Sequence, residues 1–350
     1  MNNLKRSLKA IDEIDINAGK RCKDILDGKM KPQDSLGILE ETAIKISEIT
    51  GDELKKINKG CHLIASADNG IVEEGVSSCP VEYTKIVSET MLNKMAAIGI
   101  LCKNLDIDLK LVDIGIKEDI PRDYENLYSR KVRNGTRNFF VEPAMTMDEC
   151  VKAINHGIEL VEELSGEYDF FSNGEMGIGN TTTSSAILYA LTRDDLDKVV
   201  GRGAGLSDKG LEKKKNVIES SCKRYDLFEK SPLEILRHVG GLDIACMVGF
   251  YIGAAKMKKP MLIDGFISAV AALVSTKIEP KTKGYMIATH MSEEPGMKLV
   301  MKELKLNPFL NMKMRLGEGT GAVLVYPMMK LAMEIPRNMK TQEEVYKIFN

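Results

Sequence analysis

Short apolar runs that end in glycine, acidic or amide residues recur along this chain of 350 residues. Examples are CHLIASAD from Cys61, LKLVDIGI at residues 109–116 and KPMLIDGF from Lys259. Helical patterns such as MDECVKAINHGIELVEELS, at residues 147–165, lie between them. Buried strands that alternate with helices need helices on both sides of their sheet. The pattern therefore predicts an α/β fold with a parallel sheet covered by helices on both faces.

The two ends of the chain have a helical pattern without such runs. An amphipathic stretch covers residues 35–51, and the last ten residues, TQEEVYKIFN, are also helical in pattern. We expect residues 1–60 and 331–350 to form a smaller helical lobe, and residues 61–330 to form the large α/β domain.

The polar ends of the apolar runs indicate where a site would form. The runs end in ADNG, NGEMGIGNTTT, DGF and THMSEEPG, and Asp68, Asp113 and Asp264 each follow one of the strand-like runs. Ligands of open α/β sheets bind outside the carboxyl ends of the strands. Each aspartate could contact a ligand there or merely cap the next helix.

Charge and composition exclude several classes of function. The formal net charge is −2, and Lys and Arg are spread along the chain, which argues against nucleic acid as a partner. The N-terminus has no apolar signal-peptide core, and no run reaches the roughly 20 apolar residues of a membrane span. Seven irregularly spaced cysteines are typical of reduced thiols. We therefore predict a cytoplasmic protein that binds neither membrane nor nucleic acid.

The four histidines give no sign of a metal site. His62, His156, His238 and His290 lie far apart in the sequence, and there is no CxxC pair. A structural role is the preferred interpretation of His290.

The segment GEMGIGNTTTSS lies between an apolar run and a helical pattern. Gly177 and Gly179 would let the backbone approach a ligand, and Asn180 and Thr181 offer helix-capping oxygens. Such a loop at a helix start suits a phosphate. The alternative is a glycine turn with an ordinary threonine cap. It is neither a P-loop nor a dinucleotide fingerprint, because the glycine spacing differs.

Two further glycine loops carry charged residues. GRGAGLSDKG begins at Gly201 and precedes a helix with lysines at 213–215, where one could face a phosphate or all could be solvated. RLGEGTGA places Glu318 between two glycines, where a substrate can come close. That carboxylate could act as a general base if burial raised its pKa, or it could be an exposed loop residue.

In combination, these segments resemble one enzyme family. The matching pieces include SADNGIVEEGVSSCP, GEMGIGNTTTSSAI, GRGAGLSDKGLEKKKNVIE, LIDGFISAVAAL, HMSEEPG and RLGEGTGA, and they extend from about residue 31 to 330. The chain is similar to the nicotinate-nucleotide:dimethylbenzimidazole phosphoribosyltransferases, and the pair GEMGIGNTT and RLGEGTGA is highly specific.

The resemblance implies a reaction and a set of residues. The phosphoribosyl group of nicotinate mononucleotide would move to a cobamide lower base, with nicotinate released and without a metal or cofactor. The general base would be Glu318, the family's second important glutamate Glu175, and its lysine Lys214. The other substrate-binding residues would be Ser77, Ile86, Gly177, Gly179, Asn180, Thr181, Gly201, Arg202, Gly203, Ser292 and Leu316.

One departure from the family concerns the lower base. Ile86 stands where family members that accept benzimidazole usually have a glutamine, so the resemblance predicts a more apolar base pocket that could take benzimidazoles or phenols. Some relatives work as heterodimers, and the partner here would be an identical or paralogous chain. Two rivals remain, a non-catalytic paralogous subunit and a nucleotide-binding oxidoreductase. The intact Glu318, Glu175 and Lys214 argue against the first, and the missing fingerprint argues against the second.

Overall fold

The computed structural model describes residues 2–121 and 123–349, and within them six strands form one sheet. All neighbouring strands are parallel, in the order β3-β2-β1-β4-β5-β6. The strands are β1 (Gly60–Ala67), β2 (Asp108–Gly115), β3 (Leu127–Ser129), β4 (Phe170–Met176), β5 (Met261–Ile263) and β6 (Met286–Ala288). This confirms the predicted parallel sheet. Apolar runs supply every strand except β3, a three-residue edge strand without such a run; they are CHLIASAD, LKLVDIGI, YDFFSNGEMGIG, KPMLIDGF and KGYMIATH.

The order in which successive strands are added to the sheet reverses at β1, which has β2 on one side and β4 on the other. Such a topological switch point opens a crevice at the carboxyl ends of the two central strands, because the connections leave them in opposite directions. The sheet order therefore indicates a ligand site beside Ala67 and Met176, the last residues of β1 and β4.

Helices cover both faces of the sheet. They are α1 (Asn2–Lys9), α2 (Ile16–Asp27), α3 (Ile38–Thr50), α4 (Tyr83–Leu92), α5 (Ala97–Leu105), α6 (Met147–Leu164), α7 (Asn180–Thr192), α8 (Leu196–Val199), α9 (Asp208–Arg224), α10 (Pro232–Val239), α11 (Leu242–Lys256), α12 (Phe266–Ile278), α13 (Gly296–Leu304), α14 (Thr320–Val323), α15 (Tyr326–Asn338) and α16 (Gln342–Phe349). None of the described helices is long and apolar enough to cross a membrane.

Alternate residues of the strands belong to two separate cores. In β1, Leu63 and Ala65 pack into the core under α11 and α12, whereas Ile64 packs into the core under α4 and α5. The same alternation separates Phe171 from Phe170 in β4. Side chains of a strand point to opposite faces in turn, so a sheet covered on both faces needs strands that are apolar throughout.

The helices of the chain termini pack partly on each other and partly on the sheet. α2, α3 and α15 are in contact, and their buried Leu26, Ile46 and Met333 belong to the same core as Ile64 of β1. α1 instead packs against α6 and α11, with Leu4 in the opposite core. The division into a large domain and a separate lobe thus stays a prediction.

Candidate active site

A cavity of about 280 Å³ lies at the carboxyl edge of the sheet. Glu175 at the end of β4, Asp264 after β5 and His290 after β6 all line it, together with the start of α7 and the loop before α14. The polar ends of strands that are distant in sequence thus meet in one place. The volume suits a small organic ligand.

The loop that carries Glu318 has an unusual backbone. Gly317, Glu318 and Gly319 have φ values of +90°, +63° and +82°. A non-glycine residue in the left-handed region costs roughly 1–3 kcal/mol and persists only where its surroundings enforce it. A Cβ atom on residue 319 would lie 2.0 Å from Cε1 of His62, so only glycine fits there.

The Glu318 carboxylate is held at one oxygen. Its Oε2 accepts a hydrogen bond of 3.1 Å from the backbone N–H of Ile98, at the start of α5. Partial burial raises the pKa of Glu318 above its ordinary value, the Ile98 hydrogen bond lowers it, and the nearby Asp264 raises it further. A carboxylate with a raised pKa beside a cavity has the properties of a general base.

Two more carboxyl groups flank Asn180 at the start of α7. The amide nitrogen of Asn180 donates to Oε2 of Glu175 and, at 3.0 Å, to Oδ2 of Asp243. Burial raises the pKa of Glu175 to about 8, and the Asn180 hydrogen bond opposes it. Burial likewise raises the pKa of Asp243 to about 7, against hydrogen bonds from Asn180, Ile244 and Asn69. At neutral pH Glu175 is therefore largely protonated and can donate a hydrogen bond to a ligand.

The raised pKa of Glu175 predicts a stability effect. Between about pH 4.5 and pH 8 the unfolded chain releases a proton that folded Glu175 keeps, so this group's contribution to stability decreases as pH rises. We expect Glu175→Gln to be more stable than the wild type at pH 8, with a difference of a few kcal/mol, since one pKa unit corresponds to about 1.4 kcal/mol. The gain should shrink greatly at pH 5. Urea unfolding at both values measures it, and a difference independent of pH would contradict the claim.

A buried lysine lies behind the start of α7. Nζ of Lys214 donates at 3.0 Å to Oγ1 of Thr181 and at 3.0 Å to the carbonyl of Gly201. Burial lowers the pKa of Lys214 to about 8, against the attraction of Glu294. Both acceptors are neutral, so among the described residues the ammonium of Lys214 has no hydrogen-bonded carboxylate as a partner. A buried cation beside a helix N-terminus favours an anion at this end of the cavity.

Comparisons with known proteins agree on one family. A family model described as "Phosphoribosyltransferase" matches residues 11–346. The nicotinate-nucleotide–dimethylbenzimidazole phosphoribosyltransferase of Clostridium tetani is 42% identical, covering 98% of this chain and 95% of that protein. The enzyme of that name from Acetivibrio thermocellus is 43% identical, covering 97% and 96%. The chain belongs to the nicotinate-nucleotide–dimethylbenzimidazole phosphoribosyltransferase family. It is therefore a pentosyltransferase, as the sequence predicts.

Solved structures agree with this assignment. The crystal structure of CobT from Thermus thermophilus matches this phosphoribosyltransferase with a TM-score of 0.90 at 33% identity, covering 94% of this chain and 98% of that one. The α/β fold is thus shared over nearly the whole chain.

In this phosphoribosyltransferase, most of the site residues expected from the sequence surround one cavity. Those that line it are Ser77, Glu175, Gly177, Gly179, Asn180, Thr181, Arg202, Gly203, Ser292, Leu316 and Glu318. Lys214 and Gly201 lie one layer behind, where Lys214 contacts Thr181. Arg202 is largely exposed and pairs with Asp208 outside the cavity.

Ile86 is placed differently from the expectation. It is half-exposed and is not among the residues that line the cavity, whereas Tyr83 and Val87 of the same helix are. Residues four apart lie on one face of a helix, and residue 86 lies about 100° from residue 87. α4 is fixed in this orientation by Oγ1 of Thr84, which accepts a hydrogen bond of 3.1 Å from the N–H of Ile178.

Several neighbours of the site were not predicted. Asp243 and His62 contact Asn180 and Glu318 only through tertiary structure. Asp243 lies in the segment VGGLDIACMVGFYIGAA, which also resembles the family, but no local motif marks His62. His290, interpreted as structural, lines the cavity with Nδ1 at 3.7 Å from Oδ1 of Asp264. The ATHMSEEPG segment that follows β6 was the available signal, because it lies at the carboxyl edge of the sheet.

Proposed function

We propose that this phosphoribosyltransferase transfers the phosphoribosyl group of nicotinate mononucleotide to an aromatic lower base, giving the α-ribotide and nicotinate. The names of the relatives support the donor and the class of acceptor. The observation that carries the proposal is Glu318, a carboxylate with a raised pKa on a strained loop at the edge of a cavity.

The phosphoribosyl transfer needs no reagent besides the donor and the base. The base attacks the anomeric carbon from the face opposite nicotinate, a new bond forms there, and the carbon–nitrogen bond to the pyridinium breaks. Its electron pair neutralises the pyridinium nitrogen. Glu318 takes the proton of a phenolic hydroxyl as its oxygen attacks, or the N–H proton of a benzimidazole whose other, unprotonated nitrogen attacks. Since the leaving group needs no proton, positioning of the two reactants should supply much of the rate.

The two ends of the cavity suit two different groups, the phosphate of the donor and the aromatic ring of the acceptor. The N-terminus of α7, with Thr181 and Lys214 behind it, is the proposed phosphate end. Protonated Glu175 is the proposed hydrogen-bond donor to the substrate between the ends. We place the aromatic base against the apolar side chains of α4 and β4.

The proposed contact surface for the base, the base wall, consists of the side chains of Tyr83, Val87 and Met176. Tyr83, Val87 and Met176 line the cavity, and the side chains of Val87 and Met176 pack on the same core. None of the three presents an amide. A phenol needs only apolar walls once its hydroxyl faces Glu318. A benzimidazole whose N–H faces Glu318 has a second nitrogen that lacks a partner until it attacks, at a cost of about 1–3 kcal/mol. The proposal is that phenolic bases are accepted as well as benzimidazoles.

A competition assay tests the base wall. With equal p-cresol and dimethylbenzimidazole, we expect the wild type to make the phenolic product, and Val87→Gln to shift the ratio roughly 10-fold toward the benzimidazole product by supplying an amide. Product masses give the ratio. Ile86→Gln is the matched control, because it adds the same amide on the exposed side of α4. Exclusive benzimidazole product from the wild type, or equal ratios in all three proteins, would contradict the proposal.

The assembly also stays a proposal. The alternative is a non-catalytic subunit that supports the site of a paralogous partner, with the active form a homodimer or a heterodimer. The experiment that separates the two is release of nicotinate from nicotinate mononucleotide by the purified chain alone, when a base is supplied. Release without a partner supports the catalytic assignment, and release only with a paralogue carrying its own glutamate would contradict it.

A further inference from the structure

Three buried side chains form a hydrogen-bonded series that ends on the backbone of Glu318. The hydroxyl of Tyr326 lies 2.8 Å from Oγ of Ser172, which lies 2.6 Å from Nδ1 of His62. Nε2 of His62 lies 3.0 Å from the carbonyl oxygen of Glu318. Tyr326, Ser172 and His62 are all buried, and none of the three lines the cavity.

The acceptor at the end of the series fixes the direction of every hydrogen bond. A carbonyl only accepts, so Nε2 of His62 must carry the hydrogen. In a neutral imidazole Nδ1 then accepts, so Ser172 donates to it and in turn accepts from Tyr326. Burial lowers the pKa of His62 to about 4, which keeps the ring neutral near pH 7. The hydrogen bonds of the series therefore have a single direction, from Tyr326 through Ser172 and from His62 to the Glu318 carbonyl.

The Glu318 carbonyl is held from two sides. A Cβ atom on residue 174 would lie 2.4 Å from this oxygen, so Gly174 of β4 lies directly against it. The His62 ring contacts it from β1. β1 and β4 are neighbouring central strands, so both supports are rigid. They act on a residue whose positive φ needs enforcement by its surroundings.

We propose that His62 is a positioning residue that holds the Gly317–Gly319 backbone so that the Glu318 carboxylate faces the cavity. Ser172 fixes the tautomer of His62, and Tyr326 orients Ser172. The inference rests on the proposed role of Glu318 as general base. It assigns a role in catalysis to side chains that do not touch the substrate.

Two substitutions of His62 test whether the position of its hydrogen-bond donor matters, rather than the space that the ring fills. A glutamine places its amide N–H near the position of Nε2, whereas an asparagine reaches only the position of Nδ1. We expect His62→Asn to lower kcat by roughly 10–100-fold, as a displaced catalytic group does, with KM for nicotinate mononucleotide nearly unchanged. His62→Gln should stay within roughly fivefold of the wild type, since it keeps the hydrogen bond to Glu318.

Ser172→Ala is the second variant and decides the question if His62→Asn does not fold. Without the Ser172 donor, His62 can adopt the other tautomer and lose its bond to Glu318, so kcat should fall by roughly 3–30-fold. Ser275→Ala is its control, because Ser275 is equally buried but bonds to Ala272 and Thr282 in and beyond α12. Its kcat should match the wild type.

A double-mutant cycle with Glu318→Gln distinguishes this inference from the proposed function. If His62 acts through Glu318, then adding His62→Asn or Ser172→Ala to Glu318→Gln should change kcat by less than about twofold. Effects of equal size in both backgrounds, or no effect of either single substitution on kcat, would overturn the positioning role while leaving the base assignment intact. Wild-type turnover by Glu318→Gln alone would instead overturn the base assignment.

Discussion

Glu318→Gln should lower kcat by roughly 10²–10⁴-fold, the usual effect of losing a general base, with KM for nicotinate mononucleotide little changed. Glutamine keeps the size of the side chain, and its carbonyl oxygen can still accept the Ile98 N–H, so the loop should keep its conformation. Only the capacity to take up a proton is lost. Nicotinate release and ribotide formation, followed by mass, measure the rate.

The pH dependence gives a second measurement of the same substitution. Burial raises the pKa of Glu318, so kcat/KM of the wild type should increase with pH as this group loses its proton, with a midpoint above the ordinary range of a glutamate. This increase of kcat/KM with pH should be absent from Glu318→Gln. Glu293→Gln, in an exposed loop near the cavity, is the control for a neutralised carboxylate. A folded Glu318→Gln protein with wild-type turnover would remove Glu318 from the mechanism.

Lys214→Met should have the second largest effect, on the phosphate of the donor. Removing one partner of a buried charge pair costs about 2–5 kcal/mol, or roughly 30- to 5,000-fold in kcat/KM for nicotinate mononucleotide. Nicotinate riboside lacks the phosphate, so its slower reaction should change by less than about threefold. The protein should fold, because burial already disfavours the ammonium, as its lowered pKa indicates, and methionine has a similar length.

The control for this result is the next residue of α9. Lys215→Met removes a cation that pairs with Asp197 and Glu212 on the outside, and should affect neither substrate. Steady-state kinetics with both donors compare the variants. Equal losses with mononucleotide and riboside would place the phosphate elsewhere.

The strands and loops were predictable because their signals are local. Apolar runs such as 109–116 can be satisfied only in a buried strand, and each of the predicted strands forms where its run lies. The GEGTG loop was identified by its glycines, but its backbone conformation was not predicted. Glycines flank Glu318 because neighbouring positive φ values and the close approach of His62 exclude a side chain. Lys214 was identified by resemblance, and its buried contact with Thr181 explains why a lysine stands there.

The positions that were missed or misplaced depend on orientation. Ile86 and Val87 are adjacent and both apolar, so the sequence could not decide which faces the cavity. The hydrogen bond between Ile178 and Thr84 fixes the rotation of α4, and it joins residues 94 positions apart. Asp243 lies in the segment VGGLDIACMVGFYIGAA, which resembles the family, but the sequence assigns it no role. Only the packing of α11 against β1 and β4 brings it to Asn180, and burial there raises its pKa.

The sequence by itself determined the layers of the fold, the edge of the sheet that carries the site, and the glycine loops, because hydrophobic periodicity and backbone freedom are properties of short segments. Tertiary structure alone decided the strand order, the face that α4 presents, and the contact of His62 with Glu318 across 256 residues. These depend on which buried polar groups find partners, and that choice is made only when distant strands pair and exclude water.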